Sequence, residues 1–203
     1  VDLGFFLAAT SKIPTSAYFA LIIATVPLGI ILIYLAGQKR IFRALRPMEL
    51  PRFLETYCKL YRDPDVPKIR GTALFFARNT QQLPPYIPLT MFTNNIIYED
   101  NIIISVRILD NPFGLKSGFR EILAPGLRVF EIQIGYMEVA EIMQILHKAG
   151  IQEKTIFYGL EDIVTNNLVW KIFSAIKRLT PSFVQFYKLP ADKIHGVVTR
   201  VEM

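Results

Sequence analysis

The chain has 203 residues, with 23 Lys and Arg against 17 Asp and Glu and a formal net charge of +6. Hydrophobic residues make up 52% and charged residues 20%, and the mean hydropathy is +0.33, which excludes a disordered chain and points to a concentrated apolar segment. One cysteine, Cys58, excludes an intramolecular disulfide framework and agrees with a reducing compartment.

Residues 3–9 (LGFFLAA) form an apolar patch too short to cross a bilayer. It reads as the tail of a preceding span, so the chain is expected to be a piece of a larger membrane protein. After a break at 10–15, residues 17–36 read AYFALIIATVPLGIILIYLA without a charged side chain. About 20 helical residues at 1.5 Å each cross a hydrocarbon core of roughly 30 Å. A signal peptide would open on a basic stretch and close on a cleavage site of small residues; this run is followed by Gly37-Gln38-Lys39-Arg40. Pro27 is expected to bend the helix rather than end it, since lipid offers no partner to freed backbone groups.

Lys39, Arg40, Arg43 and Arg46 form a basic cluster just beyond the run, and Glu49 alone opposes them and Arg52. An excess of Lys and Arg on that side places the C-terminal part in the cytoplasm. It makes the lipid bilayer a partner, each charge contributing about 1 kcal/mol near an anionic leaflet. A basic patch beside a span is not a nucleic-acid footprint, and no nucleic acid is expected.

Residues 51–62 (PRFLETYCKLYR) read as a helix with Pro in the first turn and apolar Phe53, Leu54, Tyr57, Leu60 and Tyr61. Cys58 lies in it as a small packed residue. The Asp/Pro stretch 63–67 reads as a linker. Residues 72–78 (TALFFAR) predict a buried strand, 84–92 a helix with prolines in its first turn, and 98–101 (YEDN) a turn. Residues 102–109 (IIISVRIL) predict a strand, closed by a turn at 110–114; residues 127–134 (LRVFEIQI) predict another. Residues 137–149 predict a helix with Glu138, Glu141, Gln144 and Lys148 along one stripe and Gly150 as its C-cap. Residues 155–158 (TIFY) predict a short strand ending at Gly159. Residues 168–179 predict an amphipathic helix with Lys171, Ser174, Lys177 and Arg178 outward and Trp170 in the core. Residues 194–202 predict the last strand. Strands separated by helices imply an α/β fold: a mostly parallel sheet of about five strands flanked by helices, following the membrane helix. The expected division is a membrane segment at 1–37, a basic juxtamembrane linker and helix at 38–66, and a cytoplasmic α/β domain at 67–203.

No catalytic constellation is present: the chain contains neither GxGxxG nor GxxxxGK, and His147 and His195 lack metal-ligand spacing. No enzyme activity, catalytic residue, metal site or cofactor is expected. Open α/β sheets bind ligands outside the carboxyl ends of their strands. Two pairs stand at such ends, Arg78 with Asn79 and Glu161 with Asp162, and these are the candidate contacts for a regulatory ligand.

The order of these segments resembles the C-terminal end of the KUP/HAK/KT potassium uptake permeases. Residues 1–13 are similar to the end of the penultimate span of that family and the loop after it, and 17–36 to its final span. Arg70-Gly71-Thr72-Ala73-Leu74-Phe75-Phe76, Gly135-Tyr136-Met137-Glu138, Phe157-Tyr158-Gly159-Leu160-Glu161-Asp162, Trp170-Lys171 with Phe173, and Leu189-Pro190 follow the family pattern. Ser16-Ala17-Tyr18 stands where the family commonly has Gly-Gly-Trp, and Gln133-Ile134 replaces an Arg before Gly-Tyr. The resemblance implies a potassium–proton symporter with about a dozen spans and an ion site held by broken helices upstream. No ion-binding residue is therefore expected in this chain. It also implies K+ and H+ as transported ions, the remaining transmembrane helices as partners and a homodimer through the cytoplasmic domain; the open α/β sheet makes a regulatory nucleotide a candidate ligand, though no residue specifies it. The competing reading is a single-span, membrane-anchored nucleotide-sensing or scaffold domain without transport activity.

Overall fold

A computed structural model describes residues 3–4, 18–138, 141–180, 187 and 189–202. Most of the segment matched to a penultimate span and its loop, residues 1–13, lies outside the described residues. The chain divides into two compact units: Val1–Ile41 with Thr165–Thr180 and Met203, and Phe42–Val164 with Pro181–Glu202.

Helix α1 (Tyr18–Leu45) contains the apolar run from Tyr18 onward and continues through Lys39, Arg40 and Arg43. Its stretch Leu21–Leu45 is long and apolar enough to cross a membrane, and only 6% of its most apolar window is buried. It is therefore no core helix of this chain. Pro27 lies inside it without ending it. Strand β1 (Met48–Glu49) leads into helix α2 (Leu50–Arg62), which starts with Pro near its N-terminus as expected. Strands β2 (Ile69–Phe76) and β3 (Gln82–Leu83) follow, and β3 pairs with β1. The proline-rich segment then forms one helical turn, α3 (Tyr86–Pro88), running into a π-helical turn at Leu89–Thr93.

Strand β4 (Tyr98–Leu109) is longer than the sequence pattern predicts, because residues 98–101, read as a turn, open the strand. The buried Asn101 side chain accounts for this: its Nδ2 donates to the Tyr98 carbonyl at 2.7 Å and its Oδ1 accepts from the Tyr98 N–H at 3.2 Å. Strands β5 (Leu115–Ala124) and β6 (Leu127–Gly135) form an antiparallel hairpin, closed at Gly126, whose φ of +67° favours glycine. β5 is a sixth strand that periodicity does not reveal, since nearly all of it is exposed on both faces.

Helix α4 spans only Ile142–Lys148, shorter than the predicted 137–149. The backbone of Tyr136 and Met137 is engaged elsewhere, donating to the Asn111 and Pro112 carbonyls; residues 139–140 lie outside the described residues. Gly150, at φ +75°, closes α4 as predicted. Strand β7 (Glu153–Val164) does not stop at Gly159 but runs five residues beyond it. That glycine serves close approach: a Cβ there would sit 2.8 Å from Tyr86 Cδ1. Helix α5 (Leu168–Leu179) is capped by Asn167, whose Oδ1 accepts from the Val169 N–H at 2.9 Å. A 3-10 turn, Ala191–Lys193, precedes strand β8 (Ile194–Glu202).

The main sheet has the order β5-β6-β4-β2-β7-β8. The pairs β2–β4, β2–β7, β4–β6 and β7–β8 are parallel, and only the added edge strand β5 is antiparallel. Two hydrophobic clusters form in this unit. One joins Phe53 and Tyr57 of α2 to Phe75, Ile103, Leu127 and Phe157; the other packs Ile142, Ile145 and Leu146 of α4 with Leu74, Ile102, Ile104, Phe130 and Ile132. Alternation along the central strands makes both faces apolar, as a doubly covered sheet requires. Tyr57 also ties α2 to the hairpin: its hydroxyl donates to the Gly126 carbonyl at 3.0 Å and accepts from Asn101 Nδ2 at 3.2 Å.

In the other unit, α5 packs on α1. Phe173 is fully buried, its ring fills the space where a Cβ on Gly37 would stand, and Tyr34 lies 6.1 Å away. Trp170 is only half-buried, set edge-on to Phe173 at 6.5 Å. The Arg40 guanidinium lies 5.1 Å from its ring centroid.

Candidate functional site

The strand order locates the position where a ligand would bind an open parallel sheet. From β2 the chain moves one way through β4 to β6, then crosses to β7 and β8 on the other side. The switch point thus lies between β2 and β7, outside their carboxyl ends. Of the two sequence-predicted pairs, the first stands just past β2 and the second lies further along β7. Arg78 and Asn79 are exposed just past the end of β2, and the Asn79 side chain accepts from the Gln81 N–H at 2.9 Å. Glu161 and Asp162 are exposed on the extension of β7. They do not follow a strand end, as the sequence suggested, but sit within the strand opposite Thr199 and Arg200 of β8. The last β2–β7 pair is Phe75 with Phe157, so Glu161 lies about 13 Å further along at roughly 3.3 Å per residue.

Sequence reasoning missed the residue that fills this crevice. Tyr86 is 3% exposed; its hydroxyl donates to the Phe76 carbonyl at 2.6 Å, with the Phe157 carbonyl 3.3 Å away. One side chain therefore bridges the end of β2 and the point on β7 where their pairing stops. Its ring lies against Gly159, and Thr90 Oγ1 donates to its backbone carbonyl at 2.7 Å. Burial pushes the Tyr86 phenol well above its ordinary range, against the opposing effect of its bond to Phe76, so it stays a donor. The available signal is the Pro84-Pro85-Tyr86 order itself, which starts a helical turn just after β3.

At the opposite end of β7 stands a second polar cluster. Glu153 has a side chain only 1% exposed, held by Lys193 Nζ at 2.8 Å and His147 Nε2 at 3.0 Å. Burial alone would raise its pKa, but the Lys193 and His147 bonds outweigh that and hold it below the usual carboxylate range. The same contact raises Lys193. His195 Nδ1 lies 3.0 Å from Thr155 Oγ1. Both histidines thus have hydrogen-bond partners within the sheet unit, and among the described residues no group of three or more His, Cys, Asp and Glu could hold a metal. At the start of β4, Arg128 makes a two-pronged pair with Asp100, at 2.9 and 2.6 Å, and Thr72 Oγ1 donates to Asp100 at 3.2 Å. This cluster joins β2, β4 and β6.

Of the basic cluster, Lys39, Arg40 and Arg43 are exposed on α1, within about 100° of its circumference. Arg46 follows the helix end with φ 45°.

The comparisons with known proteins agree with one another. The K+ potassium transporter C-terminal domain matches residues 70–203. The chain is 56% identical over its whole length to a protein of Methanosarcina acetivorans named "Probable potassium transport system protein Kup", and 51% identical to one of the same name in Methanospirillum hungatei. A further protein of that name, from Geotalea uraniireducens, is 50% identical over the whole chain. The chain spans about a third (33%) of the length of each of these relatives. No solved structure matches it. With the match running from β2 to the end of the chain, this chain belongs to the K+ potassium transporter C-terminal domain family.

Proposed function

We propose that this chain is the C-terminal third of a potassium uptake transporter, a potassium–proton symporter. In this reading α1 is its last membrane span, and the sheet unit is a cytoplasmic domain that regulates or assembles the transporter. The observation that carries it is the full-length match to proteins named as potassium transport system components, of which this chain covers 33%. A basic cluster at the C-terminal end of α1 supports the cytoplasmic side for the domain. Ion ligands belong to the remaining two thirds of the protein, and the domain performs no chemistry of its own.

The domain acts through α2. The connection between α1 and α2, residues 46–49, is short, and Met48 and Glu49 are fixed by pairing with Leu83 and Gln82. Phe53 and Tyr57 of α2 are fully buried in the sheet core. A rearrangement of the sheet therefore shifts α2, and a four-residue connection passes that shift to the span. A regulatory ligand would bind on the rim formed by Arg78, Asn79, Glu161 and Asp162, outside the Tyr86 ring. Two copies would associate through their cytoplasmic domains.

The test is uptake by the full-length encoded protein in a bacterial strain lacking its own potassium uptake systems. Growth on limiting potassium and accumulation of rubidium are expected, along with an active C-terminal fluorescent-protein fusion and an inactive C-terminal alkaline phosphatase fusion. A protein that reaches the membrane yet takes up no rubidium would overturn the transport reading. An active phosphatase fusion would overturn the orientation.

A further inference from the structure

We infer that α5 is an interfacial helix, its apolar face inserted among the headgroups and upper acyl chains of the bilayer beside the end of α1. The inference rests on the reading of α1 as a membrane span. Leu168, Val169, Ile172 and Leu179 are 72%, 44%, 42% and 85% exposed. At 3.6 residues per turn they fall within about 100° of the helix circumference, a continuous apolar arc. Lys171, Lys177 and Arg178 lie more than about 100° from the midline of that arc. A helix of one apolar and one basic face, with an aromatic at the boundary, is the pattern of a helix lying in the membrane plane.

Pattern alone would leave the occupant of that face open; the packing on α1 fixes it. Phe173 seats against Gly37 and Tyr34, and Trp170 against Arg40. On α1 those contacts bracket the change from the uncharged run, which ends at Ala36, to the basic cluster beginning at Lys39. Residues 34 to 40 occupy about 9 Å of helix axis at 1.5 Å per residue. That length is the depth of one headgroup layer, so α5 is held at the level where Trp rings and Lys or Arg side chains are favoured. An apolar arc at that depth, beside a helix in lipid, meets acyl chains, while the cations opposite meet anionic headgroups. Because Gly37 has no side chain, α5 can approach α1 closely enough to be carried with it.

The experiment attaches single nitroxide labels in the full-length encoded protein, its native cysteines replaced, in vesicles of phosphatidylcholine and phosphatidylglycerol. Cysteines go at Leu168, Ile172 and Leu179 on the arc, at Lys171 and Arg178 opposite, and at Ile23 within the uncharged run of α1. Collision rates with oxygen, which partitions into lipid, are compared with those of a water-soluble nickel chelate. The oxygen-to-nickel ratio at 168, 172 and 179 is expected to be severalfold above that at 171 and 178 and to approach that at 23. Equal ratios on the two faces, with Ile23 in lipid, would place α5 in water and overturn the inference. Labels at 168, 172 and 179 shielded from both reagents would show that the upstream helices or a second copy cover the face, overturning it equally. A water-exposed Ile23 would instead remove the span on which the inference rests.

Discussion

Replacing Tyr86 by Phe tests whether one hydroxyl closes the sheet at its switch point. The substitution keeps the ring and its contact with Gly159 but removes the O–H that donates to the Phe76 carbonyl at 2.6 Å and faces the Phe157 carbonyl at 3.3 Å. A neutral hydrogen bond contributes about 0.5–1.5 kcal/mol net. The site is 3% exposed, so water does not readily replace the lost donor. If opening at this end is local, amides in the carboxyl halves of β2 and β7 should exchange about two- to twelvefold faster, the range that energy corresponds to. The assay is hydrogen exchange by mass spectrometry on the whole chain in detergent micelles. Amides of β5 and β6, on the other side of β4, serve as the internal reference. Unchanged exchange in β2 and β7 would refute the bridging role. Equal acceleration in β5 and β6 would refute the local character of the opening.

Raising the pH should weaken the sheet unit, because burial pushes the phenols of Tyr57 and Tyr86 well above their ordinary range. Each stays protonated when folded while its unfolded counterpart ionises, so stability is complete below about pH 10 and falls above it by about 1.4 kcal/mol per pH unit for each tyrosine. Tyr86→Phe should reduce that slope, and an unchanged slope in urea titrations on either side of pH ~10 would contradict the argument. Gly159→Ala should cost about 1–3 kcal/mol, because its Cβ would stand 2.8 Å from Tyr86 Cδ1; thermal unfolding several degrees lower is the expected readout, and no change would mean the strand shifts freely. Glu153→Gln should cost about 1–3 kcal/mol near neutral pH, since it weakens the bonds from Lys193 and His147. With the folded pKa of Glu153 lowered, that stabilisation is present above the unfolded value of about 4.3 and is lost as pH falls through the folded one. Wild type and variant should therefore converge in acid, which urea midpoints at the two pH values will measure.

The sequence was most informative where apolar residues were dense. The five parallel strands, α1, α2 and α5 each follow a clear run or period, and β8 matches its expected bounds. Failures cluster where polar residues do structural work. Asn101 makes 98–101 look like a turn, yet its side chain satisfies the backbone of Tyr98 and lets the strand begin there. Gly159 looks like a strand end but is a notch for the Tyr86 ring. β5 carries Lys116, Ser117, Gly118, Arg120 and Glu121, and only pairing with β6 reveals it as a strand. At the candidate site the position of Arg78 and Asn79 just past β2 was legible, whereas Glu161 and Asp162 lie within β7 rather than after its end. Tyr86 was not legible, because its partners are backbone carbonyls that sequence does not display.

These polar contacts also bear on how the domain works. Among the described residues, no buried side-chain nitrogen or oxygen lacks a hydrogen-bond partner. Asp100 is shared between Thr72 and Arg128, Asn101 between Tyr98 and Gly126, and Glu153 between Lys193 and His147. Each of these groups links separate strands or a strand to a helix or turn. Asn101 and Glu153 are buried, so removing a partner of either leaves a buried polar group underpaired, which costs more than the bond itself contributes. In the proposed regulatory reading, force would reach the sheet at α2, where Phe53 and Tyr57 pack the helix into the sheet core. A signal from the proposed rim would take the same route, because Phe75 and Phe157 stack at 5.0 Å within the cluster that holds both α2 residues. On that proposal the rim and α2 are two ends of one packed path, and a ligand at the first would bias the second by altering the packing around Phe75 and Phe157.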